Sequence, residues 1–148
     1  MKTLILKASL AAGLVVALVA PALAHHSFAM YDQQQTKSFT GKLTRYIPGP
    51  NHAQLVFEVV GNDGKPVIQN GKPVVWVVET GSAASLSRQG ITVDSFPAGT
   101  IITVDLYPLR DGRNGGALAG LLVKCGTEVP KGGCTKATGQ VFLTGRSQ

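Results

Sequence analysis

The chain has 148 residues and a net charge of +6, with 15% charged side chains. That length gives one domain with a core of its own. The cations are scattered without a dense run, so the basic balance reads as a solvated face and gives no nucleic-acid footprint.

Residues 1–24 have the parts of a secretory signal. Lys2 and Lys7 give a positive start, residues 8–20 are an apolar run, and Pro21 precedes a small-x-small site, Ala22-Leu23-Ala24. The run is too short for a membrane span, which takes roughly 20 residues. Cleavage after Ala24 removes two of the fourteen basic residues and leaves a mature chain that opens on His25-His26-Ser27-Phe28. The expected organisation is a cleaved signal (1–24), an N-terminal arm (25–37) and a domain (38–148), in a periplasmic protein.

The arm is polar over residues 29–37 and reads as extended or loose. Residues 38–47 alternate as a strand, with Phe39, Leu43 and Ile47 on one side and Gly41 at a point where the strand bulges or coils. Pro48-Gly49-Pro50-Asn51 breaks it. Residues 53–60 form a second strand with Leu55, Phe57 and Val59 inward, and Gly61-Asn62-Asp63-Gly64 is a turn. The echo of Gly64-Lys65-Pro66-Val67 in Gly71-Lys72-Pro73-Val74 marks two turns around a small hairpin excursion.

Residues 74–79 form a third strand centred on Trp76. Residues 82–89 are the one helix after the signal, capped by Ser82 and ended by Gly90. After a connector (92–99), residues 100–107 form a fourth strand ended by Pro108. A glycine-rich turn (111–116) leads to a fifth strand (117–124), and residues 140–144 add a short last one. Trp76, Phe57 and Tyr107 read as core residues. The element order is that of an all-β, five-stranded, OB-like Greek-key barrel with one short helix between strands 3 and 4.

Cys125 and Cys134 are an even pair, close in sequence, in a chain read as exported, so they are expected to form a disulfide. The loop between them holds three glycines and Pro130 and bends easily.

Several stretches together resemble an uncharacterised family of exported bacterial proteins, a domain of unknown function. They are the opening His25-His26-Ser27-Phe28-Ala29-Met30-Tyr31-Asp32, Thr40-Gly41-Lys42-Leu43, Pro50-Asn51-His52-Ala53, the helix region 81–90, Tyr107-Pro108-Leu109-Arg110-Asp111-Gly112 and Gly115-Gly116. The resemblance spans nearly all of the mature chain. The family's usual order after the first strand is Asn-Pro-His, where this chain has Pro50-Asn51-His52. The resemblance implies export and a small β-barrel, and no established activity.

The chemistry on offer lies in three histidines, His25, His26 and His52. A free amino-terminal histidine chelates through its α-amine and ring. A third nitrogen, from His52 or else His26, completes a T-shaped set that resembles a histidine brace. Such a set suits Cu(II), which stands highest in the divalent affinity order. The expected function is a non-enzymatic exported binding module with copper as its ligand. The alternatives are an OB-type binder of a peptide, glycan or envelope polymer using the Arg110/Arg113 turn, and a copper-dependent oxidoreductase. Ser27 beside His26 is adjacency without triad geometry, Glu58, Glu79 and Asp105 fit strand faces, and the glycines make no phosphate loop.

Overall fold

A computed structural model describes residues 28–143. The chain divides into a unit ending at Met30 and a unit starting at Tyr31. Of the first, residues 28–30 form a turn. The second is almost entirely strand. Its elements are β1 (Lys37–Ile47), β2 (Gln54–Val59), β3 (Ile68–Gln69), β4 (Lys72–Pro73), β5 (Val75–Glu79), α1 (Ala83–Ser87), β6 (Ile101–Pro108), β7 (Gly115–Lys124) and β8 (Gln140–Leu143).

Five strands close a barrel. β1 pairs antiparallel with β2 and β6, β2 with β5, and β6 with β7. Parallel pairing of β5 with β7 shuts it, through Val77 with Gly115, Val78 with Gly116 and Glu79 with Ala117. With α1 lying between β5 and β6, this is the expected OB-like order. β8 adds an outer strand on the second half of β7. Among the described residues no helix is long and apolar enough to cross a membrane.

Alternation explains the core. Leu55 and Phe57 from β2, Val78 from β5, and Ile102, Val104 and Leu106 from β6 are fully buried in one cluster, which α1 caps with Leu86. Each strand thus gives the interior every second residue. Trp76 is buried too, stacked at a tilt on Phe39 with 4.4 Å between ring centres. Tyr107, expected in the core, is only half-buried. In a second, smaller cluster Ile101 and Val123 pack against the two cysteines.

Two irregularities bend the strands. In β1 the register against β2 slips at Thr44, whose hydroxyl donates to the Val56 carbonyl at 2.9 Å. The extra residue reverses the alternation, so Tyr46 turns inward and Ile47, expected on the inner side with Leu43, is only half-buried. Gly41, expected at a bulge, instead serves close packing. It sits where β1 passes from β6 to β2, and a Cβ there would run into the Phe57 ring and the Glu58 carbonyl. The second slip lies in β7, opposite Val104 and Leu106. There Gly120 takes φ +102°, which bends the strand away from β5 toward β8.

The loops follow their turn chemistry. Asn70 and Gly71 both have positive φ between β3 and β4, the pair a two-residue hairpin needs. The Ser82 hydroxyl accepts from the Ser85 amide and caps α1, which is shorter than the expected 82–89 because it stops at Ser87. Cys125 and Cys134 are joined in a disulfide. Its loop is tied to the barrel by the Thr103 hydroxyl, which donates to the Cys134 carbonyl at 2.7 Å.

Two outcomes follow for stability. Cys134→Ser is expected to cost roughly 2–3 kcal/mol, the chain-entropy value for so short a loop, read by urea unfolding with and without reductant. Gly41→Ala is expected to cost about 1–3 kcal/mol, because the Phe57 ring has no room to retreat in a filled core. A wild-type urea midpoint for Gly41→Ala would contradict the close approach.

Candidate functional site

His52 lies in the turn between β1 and β2, and three backbone bonds fix that turn. The Ala53 amide donates to the Gly81 carbonyl at 2.9 Å, the Thr80 amide returns to the Ala53 carbonyl at 2.9 Å, and the Ala83 amide reaches the Gly49 carbonyl at 2.9 Å. Thr80 is buried, and its hydroxyl also donates to the Ala53 carbonyl, at 2.9 Å. The turn is tight enough that a Cβ on Gly49 would overlap the His52 carbonyl. The backbone of residue 52 is therefore held against the end of β5.

That placement decides the ring's partners. His52 Nδ1 lies 3.2 Å from the Thr80 carbonyl oxygen and 3.3 Å from Glu79 Oε1. A carbonyl and a carboxylate only accept, so Nδ1 carries the proton and donates to both. Nε2 makes no hydrogen bond among the described residues. The side chain is 39% exposed, against 27% for Glu79. A neutral ring held in this way can bind a metal ion through Nε2.

The second Glu79 oxygen has its own donor. Tyr31 gives its hydroxyl to Glu79 Oε2 at 3.0 Å. Tyr31 is buried, at 5% exposure, so the arm, expected to be extended or loose, is anchored at this point. Tyr31 bridges to Leu109, the Asp32 amide donates to the Pro108 carbonyl at 2.8 Å, and Arg110 Nε donates to the Tyr31 carbonyl at 3.2 Å. An aromatic in an otherwise polar stretch was the one sequence signal for this anchor. Glu79 had none beyond its place at the end of a strand.

The other sequence-derived positions fare differently. His25 and His26 lie outside the described residues. Among those described, no group of three or more His, Cys, Asp or Glu is arranged to hold a metal ion. Any site at His52 therefore needs a ligand from residues before Phe28 or from elsewhere. The two arginines of the β6–β7 turn are engaged internally. Arg113 binds Asp111 at 2.8 Å, and Arg110 lies between the Tyr31 carbonyl and Asp32 Oδ1, at 4.0 Å from the latter. The Arg113 backbone amide, then its side chain, hold the Asp111 carboxyl below its ordinary pKa. This turn braces itself and the arm.

Burial first, and then the nearby Glu79 charge and the hydrogen bond to it, push the Tyr31 phenol well above its ordinary value of 10.0. The folded protein thus holds this proton at a pH where the unfolded chain has lost it. The resulting stability is complete below about pH 10 and falls as pH rises past the unfolded value. Tyr31→Phe is expected to cost about 1 kcal/mol at neutral pH and to flatten the alkaline fall in stability. Urea unfolding from pH 7 to 11 measures both. Parallel pH profiles for the two proteins would remove the Tyr31–Glu79 interaction as the cause.

The chain matches no curated protein and no solved structure. A family model does match it, over residues 12–119, described as a family of unknown function (DUF6152). The match takes in the arm, His52, Glu79 and four barrel strands whole, and ends inside the fifth, β7. The expected likeness to an uncharacterised domain family thus has a definite form: the chain belongs to that family of unknown function.

Proposed function

We propose that this protein is an exported, non-enzymatic copper-binding module. In this reading the signal is cleaved after Ala24, and the mature protein takes one Cu(II) through the His25 α-amine, the His25 ring and His52 Nε2. The observation that carries the reading is the state of His52. Its Nδ1 is committed to Glu79 and Thr80, and its Nε2 has no partner among the described residues on a partly exposed ring. Metal-binding histidines commonly have this arrangement, with a carboxylate or carbonyl behind the ring.

Chain length supports it. Tyr31, anchored to the carboxylate that also touches His52, comes six residues after His25. Six residues span at most about 20 Å, so the amino terminus has a short tether to Tyr31. The ligands are nitrogens, which favour Cu(II) over calcium or magnesium. An α-amine with a pKa near 8 yields its proton to a metal at neutral pH. Binding therefore weakens as pH falls, because protons compete with the metal for the amine.

The test begins with the intact mass of the exported protein, expected to start at His25 and to take up one equivalent of Cu(II). One added residue ahead of His25 should weaken binding by at least about tenfold, since the amine then leaves the chelate. His52→Ala should weaken it more than His26→Ala. Equal affinity in the extended and native proteins would defeat this reading. Oxygen consumption with a reductant above the level of free Cu(II) would point instead to a copper oxidoreductase.

A further inference from the structure

We infer that the groove between the β2–β3 turn and the disulfide loop binds a small zwitterion of the amino-acid class, one with an apolar side chain. This is independent of the copper reading above. The groove has a volume of about 320 Å³, a size that fits a small molecule. Buried Ile101 forms its floor, next to Lys42 in the β1–β6 register. One wall is the turn of Asn62 and Asp63, and the other is Thr127, Glu128 and Val129 of the disulfide loop. Both walls are held by the fold itself. The Gly61 amide donates to the Lys65 carbonyl and the Gly64 amide to the Gly61 carbonyl, each at 2.9 Å. The disulfide holds the second wall, together with the Ile101 amide, which donates to the Gly126 carbonyl at 2.9 Å. A Cβ on Gly64 would lie 3.7 Å from a Val129 methyl, so the two walls come together there.

The charges in the groove select the ligand. Lys42 and Glu128 are exposed, and neither has an ion-pair partner among the described residues. Glu58 lies opposite Lys42 in the β1–β2 register and does not pair with it. Asp63 is held loosely by Lys65, at 3.8 Å. One unpaired cation and one unpaired carboxylate therefore share a groove. A ligand with a single charge satisfies only one of them, and one exposed ion pair contributes little. A zwitterion satisfies both. Its carboxylate meets Lys42 Nζ, and its ammonium meets Glu128, with Asp63 adding to the negative field. The Asn62 amide and the Thr127 hydroxyl offer the remaining hydrogen bonds. An apolar side chain then covers Ile101 and Val129, which pack in one cluster.

Amide NMR titration of the purified protein tests this with L-leucine, leucinamide, N-acetylleucine and glucose. L-Leucine should bind saturably, with a Kd on the order of 1 mM, and shift the amides of residues 42, 61–64, 101 and 127–129. Leucinamide lacks the carboxylate and N-acetylleucine lacks the ammonium, so each should bind about threefold to tenfold more weakly. Lys42→Met should weaken leucine and N-acetylleucine by that factor and leave leucinamide unchanged. Glu128→Gln should weaken leucine and leucinamide and leave N-acetylleucine unchanged. This crossed pattern belongs to direct charge recognition, whereas a general loosening of the loops would weaken every probe alike. Both substituted side chains are exposed, and if either variant does not fold, the probe series on wild type decides. Three outcomes overturn the inference: no saturable shift with leucine, equal affinity for the three leucine probes, or glucose taking the groove in place of leucine.

Discussion

Barrel closure depends on three residue pairs between parallel strands, Val77–Glu79 of β5 against Gly115–Ala117 of β7. Parallel neighbours cannot come from a hairpin, so the chain must pass through α1, β6 and the β6–β7 turn before it makes them. Closure also requires glycine. A Cβ on Gly115 would lie 2.8 Å from a Leu109 methyl, and one on Gly116 would lie 2.5 Å from the Tyr107 carbonyl oxygen. Side chains there would push the start of β7 off the end of β6, and with it the residues that pair with β5. The last residue of β5 in this seam is Glu79, whose side chain faces out of the barrel. The strand pairing that shuts the core thus also fixes the carboxylate beside His52.

The same seam explains why β7 bends. Its first half serves β5 and the end of β6, and its second half serves the start of β6 and β8. One straight strand cannot meet both sets of partners in so small a barrel. Gly120, with φ +102°, supplies the turn between the halves. Beyond it, Val123 and Cys125 reach the outer cluster that the disulfide staples. Closure, bending and the covalent loop are successive consequences along one strand.

What was legible in the sequence was local. Alternation in β2, the Ser82 cap, the Asn62-Asp63 turn and the cysteine spacing each involve neighbours within about ten residues, and each appears in the structure. What was not legible depended on distant pairing. The inward turn of Tyr46 follows from a bulge that only the register against β2 reveals. The anchoring of Tyr31 needs Leu109 and Glu79, and the surroundings of His52 need Thr80, 28 residues away. A strand-end glutamate looks like any solvated carboxylate until the fold brings a phenol and an imidazole to it. The histidine was visible from the sequence, but the groups that decide its proton were not.

The Tyr31–Glu79–His52 arrangement contributes only modestly to stability. A partly exposed carboxylate–imidazole contact contributes about 0–1 kcal/mol, and the turn that carries His52 is already pinned by backbone bonds to Thr80, Gly81 and Ala83. Burying a phenol is favourable only when its hydroxyl finds a partner. A phenylalanine at position 31 would fill the same space against the β6–β7 turn without that condition. Glu79 is likewise dispensable to closure, which uses its backbone. Packing and strand pairing therefore account for the positions of these residues but not for their polar groups. Those groups do have one joint effect that an apolar set lacks. They put the imidazole proton on Nδ1 and tie the arm to the same carboxylate.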